Sequence, residues 1–275
     1  MKKIAPFLFA LSLVAFSACK QDEGAMAPQT LNNVEDQILS SDLLDDVLDE
    51  VEYTSDIFFG ELKSGFDDCR TVTVVPMDRV TWPKTITIDF GTEGCLVRDS
   101  VVKKGKIIIN MDAPQNGRAW TKVITFDNYY VNGNKVEGTN TTVFSRADGH
   151  PTWTSTIVGG QITTPEGNIL RTREAIHTRV QTRGIDTPRD RTDDAFQLTG
   201  NASGTRKDGK TFSWVINEPL VISNNCRWIR NGVKVITLEG QSDITIDYGE
   251  NVCDNIATVT QNGVTKEIKL RGRRQ

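Results

Sequence analysis

Beyond Gly65 the chain alternates apolar and polar residues in short runs rich in β-branched and aromatic side chains, with turn-forming residues between the runs. Asn132-Gly133, Glu166-Gly167-Asn168, Lys207-Asp208-Gly209-Lys210 and Asn262-Gly263 each lie between two alternating segments. Such residues accept positive φ at little cost, so each marks a hairpin. Consecutive hairpins predict an antiparallel meander of about a dozen strands. That many strands strain a flat open sheet, which predicts an all-β body closing into a sandwich, a jelly roll or a barrel. Residues 60–275 are read as this single all-β domain.

Upstream the period changes. Val34, Ile38, Leu44, Val47 and Val51 recur every three to six residues, with Leu48 beside Val47 and acids between them, which predicts a short acidic helical segment over residues 31–59. Ser40-Ser41-Asp42 either breaks it or caps a second helix near Leu43. Packing of its apolar stripe on the body and recognition of a partner through its acids are the two readings. Residues 20–30 are polar and small, with Pro28, and read as a flexible tether. At the start, Lys2 and Lys3 precede an apolar run over residues 4–16 that is shorter than the roughly 20 residues of a membrane span. Residues 1–18 are therefore expected to be a removable secretory signal, ending before Cys19.

Two segments resemble each other. Ile86-Thr87-Ile88-Asp89-Phe90-Gly91 leads to Cys95, and Ile244-Thr245-Ile246-Asp247-Tyr248-Gly249 leads to Cys253. Cys69-Arg70 and Cys226-Arg227 precede them at almost equal distance, and Gly105 and Gly263 follow at the same interval. This predicts a duplicated unit of strand, turn, disulfide and strand over 69–109 and 226–270, its copies equivalent at the two ends of the sheet.

Charge and cysteines narrow the class. The net charge of −4 conceals nine acids and no Lys or Arg between residues 31 and 60, so the rest of the chain is mildly basic. No nucleic-acid partner is expected on this balance. A secreted chain lives where disulfides form, and Cys69, Cys95, Cys226 and Cys253 make an even set after Cys19 is assigned to the signal. Spacing allows three connectivities, and the repeat favours Cys69 with Cys95 and Cys226 with Cys253. Each bridge would close a loop of about 26 residues, worth roughly 3.5 kcal/mol in the chain-entropy model. A four-thiolate zinc site is the rival, but the chain has no close Cys-x-x-Cys pair.

Catalytic signals are sparse. His150 and His177 are the two histidines, neither in a metal-binding spacing, and no Gly-x-Ser-x-Gly elbow is present. His150 lies in the turn sequence Asp148-Gly149-His150-Pro151. Asp89 and Asp247 compete as a glycosidase acid pair or as caps of their own turns. Asp193-Asp194 lacks a calcium-loop pattern. No metal and no cofactor are expected, and the chain reads as a non-enzyme.

One segment carries a binding signal. Arg171, Arg173, His177, Arg179 and Arg183 occupy odd positions and project from one face of an extended strand. A row of guanidinium groups suits carboxylate or sulfate groups of an acidic glycan. A solvated edge strand balanced by Asp190 or Asp193 is the alternative. Of five tryptophans, Trp214 shares its face with Phe212 and Ile216 and is expected in the core, whereas Trp82 and Trp153 are expected partly exposed.

Phe16-Ser17-Ala18-Cys19 resembles the lipobox of bacterial lipoproteins. Together with Asp22-Glu23 and the Ile-Thr-Ile-Asp-aromatic-Gly units, the chain resembles lipobox-containing lipoproteins of the Bacteroidota. The resemblance covers the signal and much of the β body. It implies diacylglycerol on Cys19 as the new N-terminus, a membrane attached through that lipid, and an outer-membrane, surface-exposed location, and it brings no catalytic pattern. The expected function is a lipid-anchored envelope module binding an anionic glycan or an envelope protein. An envelope structural or lipid-transport component is the alternative, and a glycan hydrolase the third reading.

Overall fold

The computed structural model describes residues 69–270, except 79, 98–100, 116–118 and 147–148. The expected signal, tether and acidic helical segment, with Cys19, lie outside the described residues. Those described form fourteen antiparallel strands and no helix. They are β1 (Thr71–Val75), β2 (Lys84–Asp89), β3 (Cys95–Val97), β4 (Val101–Met111), β5 (Ala119–Val131), β6 (Asn134–Ser145), β7 (Thr152–Thr163), β8 (Ile169–Arg183), β9 (Ala195–Thr205), β10 (Thr211–Ser223), β11 (Cys226–Leu238), β12 (Ile244–Glu250), β13 (Ile256–Gln261) and β14 (Val264–Lys269). All belong to one sheet in chain order, with β3 paired to β4 off the main path.

The all-β antiparallel meander is as expected, and each predicted hairpin turn falls between two strands. At the β5–β6 turn Asn132 and Gly133 have φ of 48° and 82°, and Asn262 and Gly263 repeat this between β13 and β14 with 52° and 76°. Closure is not as expected: the sheet remains open, with no pairing of β1 to β14. Each long strand pairs with its sequence neighbours, so no break divides the meander into the two sheets of a sandwich. Bending is supplied instead by register shifts in the pairings from β4 to β12. At Gly105 in β4 a Cβ would overlap the Asn128 carbonyl, and at Gly200 in β9 it would overlap that of Ile176. Only glycine permits these close strand approaches.

Register places one side of every strand on a common inner face. One cross-strand row runs Val74, Ile86, Ile109, Ile124, Asn140, Ile157, Ala175, Ala202, Trp214, Ile236 and Ile244 through eleven strands. Every member is buried. The opposite face keeps Val143, Ile176 and Val215 exposed. The inner apolar residues gather in two clusters, one from β1 to β6 around Ile86, Ile107 and Tyr129, the other around Trp214, Ile236 and Ile246.

Two disulfides pin the ends as the repeat predicts. Cys69–Cys95 joins the residues before β1 to the start of β3, and Cys226–Cys253 joins the start of β11 to the loop after β12. The copies coincide through the turn: Asp89 accepts the Gly91 N–H and Asp247 the Gly249 N–H, each at 2.8 Å, and Phe90 and Tyr248 are both buried. Beyond it they diverge. Gly105 lies at a bulge within β4, whereas Gly263 makes the β13–β14 turn. The equal glycine spacing therefore marks two different uses of positive φ, and the units are equivalent only as far as their disulfides.

Candidate functional site

The inner face is not uniformly apolar. Beside the buried row just described, the register aligns Lys84, Met111, Lys122, Thr142, Ser155, His177 and Gly200 across β2, β4, β5, β6, β7, β8 and β9. Next to it runs a third row of Trp120, Phe144, Trp153, Arg179 and Leu198. The face thus carries a mainly apolar, a mainly polar and a mainly aromatic row side by side.

Between the polar row and Asn140 of its apolar neighbour, Ser155 Oγ donates to Asn140 Oδ1 at 2.9 Å and Thr142 Oγ1 donates to the same oxygen at 3.1 Å. Asn140 is 5% exposed, and its Nδ2 has no hydrogen-bond partner among the described residues.

Cations on this face stack on aromatic rings. Arg171 lies 4.4 Å from the Phe212 centroid, and Arg179 lies 4.6 Å from Trp153 and 4.9 Å from Phe196. Trp214 is flanked by Arg173 at 5.7 Å and Lys234 at 4.2 Å, while Lys122 lies 5.5 Å from Trp120. Each contact contributes roughly 0.5–2 kcal/mol depending on its desolvation. Among the described residues, no inner-face position that the register defines in β5 to β9 holds Asp or Glu. The charged groups at these positions are thus all cationic, Lys122 on β5 and Arg171, Arg173 and Arg179 on β8.

Arg171, Arg173, His177 and Arg179 do share one face, as their odd spacing predicts, but it is the inner one. β8 is a central strand between β7 and β9, and Arg171 and Arg173 are 8% and 3% exposed, so the edge-strand alternative is overturned. Arg183 lies beyond a register shift after Gln181 and is exposed. Asp190 and Asp193, the proposed balancing acids, accept bonds within the β8–β9 loop, from Thr192 and Thr187. Burial, with the nearby Asp193 carboxylate, pushes the Asp194 carboxyl up.

Arg173 Nη2 lies 3.1 Å from His177 Nε2. A guanidinium only donates, so this imidazole nitrogen accepts and the ring proton sits on Nδ1. The ring also meets Trp214 edge-on at 5.2 Å. Burial, then the positive charges of Arg173 and Lys234, hold the His177 pKa down at about 3. The residue is a neutral hydrogen-bond acceptor at neutral pH.

The other candidates stand apart. Asp89 and Asp247 face outward, with eight strands between theirs in the sheet order, and each caps its own turn. The Gly91 N–H, assisted by Lys106 at 3.2 Å, holds the Asp89 carboxyl below its usual range. His150 Nδ1 is 3.0 Å from the Gln181 carbonyl at an exposed turn. Trp214 is buried, and Trp82 and Trp153 are intermediate, as expected. Among the described residues, no three His, Cys, Asp or Glu side chains gather to hold a metal. Sequence reasoning overlooked Lys122, Asn140, Thr142 and Lys234. Their signal is phase: Lys122 lies between Trp120 and Ile124, and Lys234 precedes Ile236 and Leu238, at positions the alternation assigns to the core.

These features define an all-antiparallel, disulfide-pinned β protein with a cationic inner face. The chain matches no protein-family model, no curated protein sequence and no solved structure.

The His177 environment sets a pH dependence. An unfolded histidine binds a proton below about pH 6.5, and the folded one only near about 3. The unfolded state therefore holds more protons in that window, and stability falls as pH falls through it. Urea unfolding at pH 6.5 and pH 4 is expected to differ by about 3 kcal/mol more in the wild type than in His177→Gln. Equal pH dependence of the two would contradict this environment.

Proposed function

We propose that the protein is a non-enzymatic, lipid-anchored component of the cell envelope, displayed at the outer membrane, that binds an acidic ligand on the inner face of its sheet. The observation that carries the reading is the polar stripe. It sets Thr142, Ser155 and His177 beside Lys122, Arg173 and Arg179 on a face whose described inner positions in the central strands carry no carboxylate. Carboxylate or sulfate groups of an acidic glycan are complementary in charge and geometry to the guanidinium and ammonium groups of this surface. Arg179 is the entry point, because Trp120, Phe144, Trp153 and Arg179 are half-buried whereas Arg171 and Arg173 are deeper. The paired rings of Trp120 and Phe144 lie 5.2 Å apart and 18° from parallel. Facing one another, they present edges outward, so they act as an apolar wall and not as platforms for sugar faces.

Arg179→Gln is expected to weaken retention on a polygalacturonate or sulfated matrix at low salt by about tenfold. Lys269→Gln, on the edge strand β14, serves as the control and leaves retention unchanged. Equal retention of Arg179→Gln and wild type would sink the reading.

The anchor is tested separately. Cys19→Ser is expected to move the protein from the membrane fraction to the soluble one, and continued sedimentation with membranes would show that another contact holds it.

A further inference from the structure

The open sheet ends in two edges, and β14 forms one of them. The two-residue turn Asn262-Gly263 joins it to β13, in a register that sets Ala257 opposite Ile268 and Thr258 opposite Glu267. The Leu270 N–H donates to the Asn255 carbonyl at 2.7 Å, so the even-numbered residues of this stretch turn their backbone groups toward β13. By the two-residue period of a strand, Thr265, Glu267 and Lys269 direct theirs to the other side. Among the described residues, no strand pairs with that side. The side chains alternate in the same way. Val264, Lys266 and Ile268 are half-buried on the inner face, beside buried Ala257 and Val259, while Thr265, Glu267 and Lys269 are exposed on the outer one. Across the hairpin Glu267 meets Thr258 and Lys269 meets Ile256, so β13 balances neither charge.

We propose that β14 pairs with β14 of a second copy of this chain, antiparallel about a two-fold axis at Ile268. Such a pair sets residues of one face against each other, so the axis passes through a residue and its own counterpart. Centred on Lys266, the pairing opposes Lys266 to Lys266, and centred on Glu267 it opposes Glu267 to Glu267. Centred on Ile268, it sets Ile268 against Ile268 on the inner face and Glu267 against Lys269 on the outer face, once on each side of the axis. Like charges directly opposite are destabilising and opposite charges stabilising, so the edge charges select this register. Glu267 and Lys269 of the two copies then exchange both backbone bonds at each pair, through the groups that point away from β13. Charged side chains protect a sheet edge against indiscriminate pairing, and here they leave one pairing favourable. The other edge, β1, carries no charge that would fix a register. A six-residue strand pair buries less than the roughly 1,000 Å² of a stable interface, so the dimer forms only at high local concentration. The inference rests on the edge and not on the ligand reading, and matrix retention at loads below the dimerisation range remains a property of single chains.

Two measurements on the mature chain, in a Cys19→Ser background, test this. Sedimentation velocity from about 1 µM to about 500 µM is expected to show a monomer–dimer equilibrium. Glu267→Lys turns both opposite-charge pairs into lysine–lysine contacts and is expected to raise the dissociation constant about tenfold or more. Glu267→Lys/Lys269→Glu restores opposite charges in the same register and is expected to return it to within about threefold of the parent. A monomer throughout the range, oligomers beyond the dimer, or a double variant as weak as the single one would overturn the proposal. Mild oxidation reads the register. Ile268→Cys places its thiol at the axis in a non-hydrogen-bonded pair, whose Cα atoms about 4.5 Å apart lie within disulfide reach, whereas Lys266→Cys lies opposite Leu270 of the second copy. Covalent dimers of Ile268→Cys should accumulate about fivefold faster or more than those of Lys266→Cys. Equal rates, or faster linking at position 266, would contradict the two-fold pairing at Ile268.

Discussion

One-sided burial governs this molecule. Because every long strand pairs with its sequence neighbour in a single open sheet, side chains at alternate positions share one of two fates across the whole width. The buried row from Val74 to Ile244 and the exposed Val143, Ile176 and Val215 on the opposite face are products of the same registers. A one-residue slip in any strand would exchange the two sets. The Asn-Gly hairpins, the disulfides and the glycine-marked bulges fix those registers, so their energetic role is to hold the two faces apart.

The same constraint explains how charge comes to lie in apolar surroundings. Lys122, Arg171, Arg173 and Lys234 occupy core-phase positions, where an isolated ammonium or guanidinium would be expensive. Aromatic rings answer part of that cost: Trp214 between Arg173 and Lys234, Phe212 under Arg171, and Trp153 with Phe196 around Arg179. His177 completes the arrangement by remaining neutral and accepting from Arg173. The site is thus built from the alternation that builds the fold, with cations substituted at a few inward positions.

Much of this was legible in the chain. Turns were readable because Asn-Gly and Asp-Gly impose local backbone geometry without tertiary context. The disulfide pairing followed from the repeat, and the aspartate before each glycine capped its turn because that bond is local. Closure was not legible: whether a meander rolls shut depends on bulges at Gly105 and Gly200, and a single glycine inside a strand does not reveal which way the strand bends. Arg171, Arg173, His177 and Arg179 were correctly placed on one face, but alternation alone does not say which face is buried. Ala175, between them at an odd position and 7% exposed, and Ile176, at an even position and 41% exposed, invert the usual polarity of β8. The inward lysines of β5 and β11 were missed because a polar residue in core phase reads as an interruption of the pattern.

That inversion offers the most direct test of the account. Single cysteines introduced as Ala175→Cys and Ile176→Cys sit side by side in the chain but on opposite faces. The four cysteines of the β body are held in disulfides, and in a Cys19→Ser background the new thiol is the reactive one. Labelling of the native protein with a thiol reagent should be at least tenfold faster at position 176 than at 175, with the difference abolished in urea. Equal native rates, or faster labelling at 175, would contradict one-sided burial and the inner face built upon it.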